Sequence, residues 1–140
     1  MVIFIDDNKY PIKYYMEELE IHGFITKHLR YPDIALEFIH DLIHNNKDIQ
    51  VIILDIKMPP SGKYKDIVTR DGSRTGVAIY ADLRMLCPEI PIVVFSNLVD
   101  EDLRKVLGQE GPLLRIISKT SSTPDSLVTI IQTITNKSNY

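Results

Sequence analysis

The sequence predicts an α/β protein: a doubly wound, five-stranded parallel sheet with helices on both faces. Three observations predict it. Unbroken apolar runs, the signature of strands buried on both faces, recur at Val2–Ile5, Val51–Leu54 and Ile92–Phe95. Segments with the apolar spacing of amphipathic helices alternate with them, and alternation of this kind builds parallel sheets covered on both sides. The chain has 140 residues with 44% apolar and 25% charged side chains, which suits a single domain around one core, residues 1–140.

The elements follow in order. Val2–Ile5 forms the first strand and ends in Asp6 and Asp7. Asn8 caps a helix from about Lys9 to His22, with Pro11 tolerated in its first turn. Ile12, Tyr15, Met16 and Leu19 supply its apolar stripe, and Gly23 ends it. Phe24–Leu29 alternates loosely, as an edge strand does. Pro32-Asp33 opens the second helix, whose apolar positions are Ile34, Leu36, Phe38, Ile39, Leu42 and Ile43. The third strand runs from about Gln50 to Ile56, and Pro59-Pro60 prevents its continuation. Asp55 therefore lies at or near the carboxyl end of an internal strand.

Pro59 to Gly76 is the least regular stretch. Tyr64–Thr69 is mildly strand-like and Asp71-Gly72 is a tight-turn dipeptide, so the segment is either a long loop or a short hairpin flap. Val77–Leu86 has helical periodicity through Val77, Ile79, Tyr80, Leu83, Met85 and Leu86, and Pro88 stops it. Pro91–Asn97 is the fourth strand, Asp100–Leu107 a short polar helix and Leu113–Lys119 the fifth strand. Thr123-Pro124-Asp125 combines a capping hydroxyl, a first-position proline and an acid, and starts a last helix with Leu127, Ile130, Ile131 and Ile134 on its apolar side.

Composition narrows the function classes. No apolar run is long enough to span a membrane, and the N-terminal residues carry no basic stretch before an apolar core, so neither a membrane span nor a secretory leader is expected. Cys87 stands alone, which fits a reducing compartment and a cytoplasmic location. A net charge of −3 argues against nonspecific binding to nucleic acid. No Gly-x-Gly-x-x-Gly is present, and Gly62-Lys63 is no phosphate loop, because Met58 stands where its first glycine belongs.

Parallel strands bring their carboxyl ends to one edge. Here that edge gathers Asp6, Asp7, Asp55, Ser96 and Lys119. Three adjacent carboxylates repel unless a cation lies among them, and an all-oxygen set suits Mg²⁺. A lysine supplies a point charge for a phosphate, and a hydroxyl donates to an oxyanion. The combination suits phosphoryl transfer onto oxygen, with Asp55 as the nucleophile that forms an aspartyl phosphate.

Four motifs carry a resemblance over nearly the whole chain: Ile5-Asp6-Asp7-Asn8, Leu54-Asp55-Ile56-Lys57-Met58-Pro59, Val94-Phe95-Ser96-Asn97 and Ile117-Ser118-Lys119. In this order, at these strand ends, the chain resembles the receiver domain of two-component response regulators. The resemblance implies a flavodoxin-like sheet of order 2-1-3-4-5. It implies that Asp55 accepts phosphate from a sensor histidine kinase or phosphotransfer protein. Asp6, Asp7 and Asp55 would bind Mg²⁺, with the main-chain carbonyl of Lys57 as a further ligand, while Ser96 and Lys119 hold the phosphoryl oxygens. A protein of this kind assists its own phosphorylation and dephosphorylation, is not a turnover enzyme, and signals through phosphorylation-dependent contacts with a downstream protein; a phosphorylation-dependent dimer is compatible with it. No output domain is expected within the chain.

The sequence also departs from the family pattern. Thr120 follows the lysine in place of proline, Ile116 replaces an aromatic residue, and Asn97 stands where a small residue is usual. The element matching the family's Asp-Gly is Thr75-Gly76, so the loop after Asp55 carries an insertion. Its Lys63, Lys65, Arg70 and Arg74, set against Asp66 and Asp71, suit either a solvated loop or a flap beside Asp55 that touches the kinase or slows phosphate loss. These departures keep open an alternative: a receiver-like interaction module acting without phosphorylation. A phosphatase of the haloacid dehalogenase type fits less well, because its acid/base aspartate two residues after the nucleophile is here Lys57. His40 and His44 have the spacing of a metal pair on one helix face but no third ligand, which favours a solvated helix end.

Overall fold

The computed structural model describes residues 1–66, 74–97 and 99–136. Five parallel strands, β1 (Val2–Ile5), β2 (Thr26–Leu29), β3 (Val51–Leu54), β4 (Ile92–Ser96) and β5 (Leu114–Ser118), form one sheet of order β2-β1-β3-β4-β5. Helices α1 (Lys9–Ile21), α2 (Pro32–His44), α3 (Thr75–Leu86), α4 (Glu101–Leu107) and α5 (Pro124–Thr135) connect and cover it. This is the predicted doubly wound fold, with five helices. Among the described residues no helix is long and apolar enough to cross a membrane.

The pleat divides the strands between two cores. Ile3, Ile5, Ile52, Leu54, Ile92, Val94, Leu114 and Ile116 face Ala35, Ile39, Ile79, Leu83 and Leu103 on α2, α3 and α4. Val2, Phe4, Val51, Ile53, Val93 and Phe95 face Ile12, Leu19, Leu127 and Ile131 on α1 and α5. Each fully buried Ile, Leu, Val or Phe contributes roughly 1.5–3 kcal/mol, so β1, β3 and β4, buried on both faces, fix the frame. Register follows: Ile5 pairs with Leu54, which sets the ends of β1 and β3 level, and Leu54 pairs with Val94, so β4 runs on past them to end at Ser96.

The caps of α1 and α5 stand as predicted. Asn8 accepts from the Tyr10 N–H; Asp100, expected as the first residue of the fourth helix, is instead its cap and accepts from the Leu103 N–H. Thr123 and Ser126 form a reciprocal capping box at α5.

Several details differ from expectation. β2 begins at Thr26, and Phe24 is instead a buried plug between α1 and the strand. In α2, Ile34 is exposed and Ala35 is buried, because a small side chain lets the helix lie close to the sheet. Met85 is exposed at the end of α3, and Val128 replaces Ile130 among the fully buried positions of α5. α3 begins at Thr75, two residues before its periodicity becomes visible. Lys119 opens a short 3-10 turn after β5, and the Lys119–Thr120 bond is trans. Gly62–Asp66 is a 3-10 turn, so Tyr64 does not begin a strand. The rest of that strand-like run, the Asp71-Gly72 turn and the end of the chain after Asn136 lie outside the described residues.

Candidate functional site

The sheet's carboxyl edge gathers the residues that the sequence singled out. Asp6 and Asp55 directly follow β1 and β3 and are buried; Ser96, the last residue of β4, is buried too. Asp7 is half-buried, and oxygens of Asp6, Asp7 and Asp55 lie within 4.8 Å of one another. The Lys119 ammonium donates to Asp6 Oδ2 at 2.5 Å and to Asp55 Oδ2 at 3.3 Å, reaching from the end of β5 past β4, which lies between β5 and β3 in the sheet. Asp7, Asp55, Lys57, Ser96 and Lys119 line a common cleft of about 590 Å³, with Asn8, Asn97 and Met58-Pro59-Pro60 completing its walls.

Local backbone aims the two buried carboxylates. Asp6 Oδ1 accepts from the Asn8 N–H at 2.9 Å, and Asp55 Oδ1 accepts from the Ile56 N–H at 2.8 Å. One oxygen of each is thus held by the chain, and the other faces Lys119. Behind Lys119, Phe95 presents its ring 5.8 Å from the ammonium.

Electrostatics make the cluster cation-hungry. Burial raises the Asp6 carboxyl above its ordinary pKa, the charge of Asp55 adds to this, and Lys119 offsets only part. Burial works against the Lys119 ammonium, but the Asp55 and Asp6 charges outweigh it and raise its pKa. Three carboxylates against one ammonium leave a net negative site of hard oxygens. That donor set fits Mg²⁺.

The inserted segment is braced away from its start. Thr75 Oγ donates to the Met58 carbonyl and the Gly76 N–H to the Ile56 carbonyl, so α3 begins against the turn that follows Asp55. A Cβ on Gly76 would strike the Asp55 carbonyl and Ile56 Cα, which explains glycine there. Thr75-Gly76 thus opens α3 directly against the turn that follows Asp55. Upstream, Ser61 Oγ donates to Asp33 Oδ1 at 2.5 Å, Lys63 pairs with Asp82 at 2.9 Å, and Tyr64 donates to Asp82 Oδ2 at 2.7 Å. Tyr64 is wholly buried among the side chains of the α2–α3 face.

Sequence reasoning missed Tyr64 as an anchor, since an aromatic residue in a polar loop carries no period. It missed His28, whose Nε2 is 2.7 Å from the Asp6 carbonyl, because that contact comes from β1–β2 register. Asn8, expected only as a cap, also lines the cleft.

No family model matches the chain, and no curated protein matches it in sequence. Solved structures do match it in fold. A response regulator receiver domain protein from Methanospirillum hungatei superposes with a TM-score of 0.73 at 15% identity, over 99% of this chain and 94% of that one. One from Clostridium thermocellum gives 0.71 at 20% identity, over 99% and 95%. A response regulator from Thermotoga maritima gives 0.69 at 18% identity, over 96% of each chain. The chain has the flavodoxin-like fold of response regulator receiver domains.

Proposed function

We propose that the chain is a phosphoacceptor receiver domain, phosphorylated on Asp55 by a sensor histidine kinase or phosphotransfer protein. The observation that carries this reading is the Lys119 ammonium bridging Asp6 and Asp55 inside a cleft that Asp7 and Ser96 also line. Asp6, Asp7 and Asp55, with the Lys57 carbonyl, would hold Mg²⁺, which when bound supplies positive charge for the phosphoryl oxygens. In the transfer, an Asp55 oxygen bonds to phosphorus as the P–N bond of the donor phosphohistidine breaks. The donor imidazole, protonated on its other nitrogen, leaves neutral. Lys119 leaves its bridging position to hold one phosphoryl oxygen, and the Ser96 hydroxyl donates to another. The product is an acyl phosphate on a domain that hands its signal to a downstream protein, in keeping with a cytoplasmic signalling role.

Incubation with a small phosphodonor tests this. Wild type should incorporate phosphate only when Mg²⁺ is present, as an acid-stable, base-labile adduct, and Asp55→Asn should incorporate none. Equal incorporation by Asp55→Asn would sink the assignment. If neither protein is phosphorylated by the donor or by a kinase, the phosphate-independent interaction module takes its place.

A further inference from the structure

We propose that His40 and His44 form a second metal site, separate from the carboxylate cluster, that binds a divalent ion of the Zn²⁺ or Cu²⁺ type through two imidazole nitrogens. The two residues lie one turn apart on α2, both exposed, with ring centroids 6.1 Å apart and planes only 9° from parallel. Two rings leaving successive turns in the same direction match the rise of about 6 Å over four helical residues. Sharing a tetrahedral ion with bonds of about 2.0–2.1 Å requires the ligating nitrogens roughly 3.3 Å apart. Rotation of two exposed side chains closes that difference without disturbing the core.

Two neighbours favour an ion there. The Asp41 carboxylate lies 3.6 Å from His40 Nδ1, which adds negative charge beside the pair and leaves Nε2 as the nitrogen to bind a metal. His44 is in the last turn of α2, where the negative end of the helix favours a cation. The donor chemistry separates the two sites. Imidazole pairs prefer borderline ions such as Zn²⁺ and Cu²⁺, whereas the oxygen cluster around Asp55 prefers Mg²⁺. Their positions separate them too. α2 ends where the chain turns back to start β3, at the sheet edge opposite Asp55. With two protein ligands, water completes the coordination, so this is a binding site and not a structural zinc centre.

Calorimetric titration of ZnCl₂ into the full chain, in saturating Mg²⁺ at neutral pH, tests the proposal. Wild type should bind one Zn²⁺. His40→Ala and His44→Ala should each weaken binding by at least about tenfold. His22→Ala, which alters the Glu18–His22 pair on α1, should bind as wild type does. The Cu²⁺ complex of wild type should show two nitrogen ligands by electron paramagnetic resonance. Absence of Zn²⁺ binding by wild type, or wild-type affinity in His44→Ala, would overturn the site.

Discussion

At the scale of single residues, Lys119 decides the state of the site. It is the cation between two buried carboxylates, so its removal leaves both charges uncompensated. Lys119→Ala should lose roughly 3 kcal/mol of stability in Mg²⁺-free buffer, measured by denaturant unfolding near neutral pH. Mg²⁺ should recover much of that loss without restoring phosphorylation. The raised pKa of Asp6 gives a second expectation. A carboxyl that binds its proton more tightly in the folded state favours folding at low pH. Its contribution is lost as pH rises from the unfolded value of 3.8 through the folded one. Stabilisation by Mg²⁺, read as a rise in Tm, should therefore be larger near neutral pH than in mild acid, and an equal rise at both would contradict the account. Asp6, Asp7, Asp55, Ser96 and Lys119 were legible because each polar residue ends or follows an apolar run. The Thr75–Met58 and His28–Asp6 contacts were not, because they depend on which elements become neighbours in space.

At the scale of elements, the segment after β3 is the unusual part, and its first half is a buttress. Tyr64 fills the α2–α3 face, so a deletion from Ser61 to Arg70 would remove a core side chain along with the loop. Tyr64→Ala should cost roughly 3–5 kcal/mol, and Tyr64→Phe about 1 kcal/mol, by loss of the hydroxyl bond to Asp82. Acid should act on the same anchors. Burial pushes the Asp82 carboxyl up, but hydrogen bonds from Tyr64 and Lys63 win and lower it. The Ser61 hydrogen bond lowers Asp33. Groups with depressed pKa stabilise above the ordinary carboxylate range and lose that contribution as pH falls through the folded value. Amide exchange in residues 61–66 should accelerate below that range before the central strands loosen. Gly76→Ala should destabilise by about 1–3 kcal/mol and slow phosphorylation, since the added methyl displaces the Asp55 backbone. Gly111→Ala, with open space around it, should be near neutral by the same melt.

At the scale of the molecule, the alternation of five strand-like segments, three of them unbroken apolar runs, with helical segments made the sheet legible. Composition and spacing left the strand order open; the four motifs at strand ends supplied it through family resemblance. Helix rotation was less legible. Ile34 and Ala35 exchange places in α2 because close approach to the sheet rewards a small residue over a larger apolar one. The fold brings four predicted side chains, Asp7, Asp55, Ser96 and Lys119, into one cleft, with Asp6 buried against Lys119, and the central claim is that this cleft directs a phosphoryl group to Asp55. Borohydride reduction of the phosphorylated protein, followed by peptide mass mapping, tests it most directly, because reduction converts an aspartyl phosphate to homoserine. Homoserine is expected at position 55 alone. Homoserine at Asp6 or Asp7, or phosphate retained on a serine, threonine or histidine, would contradict it.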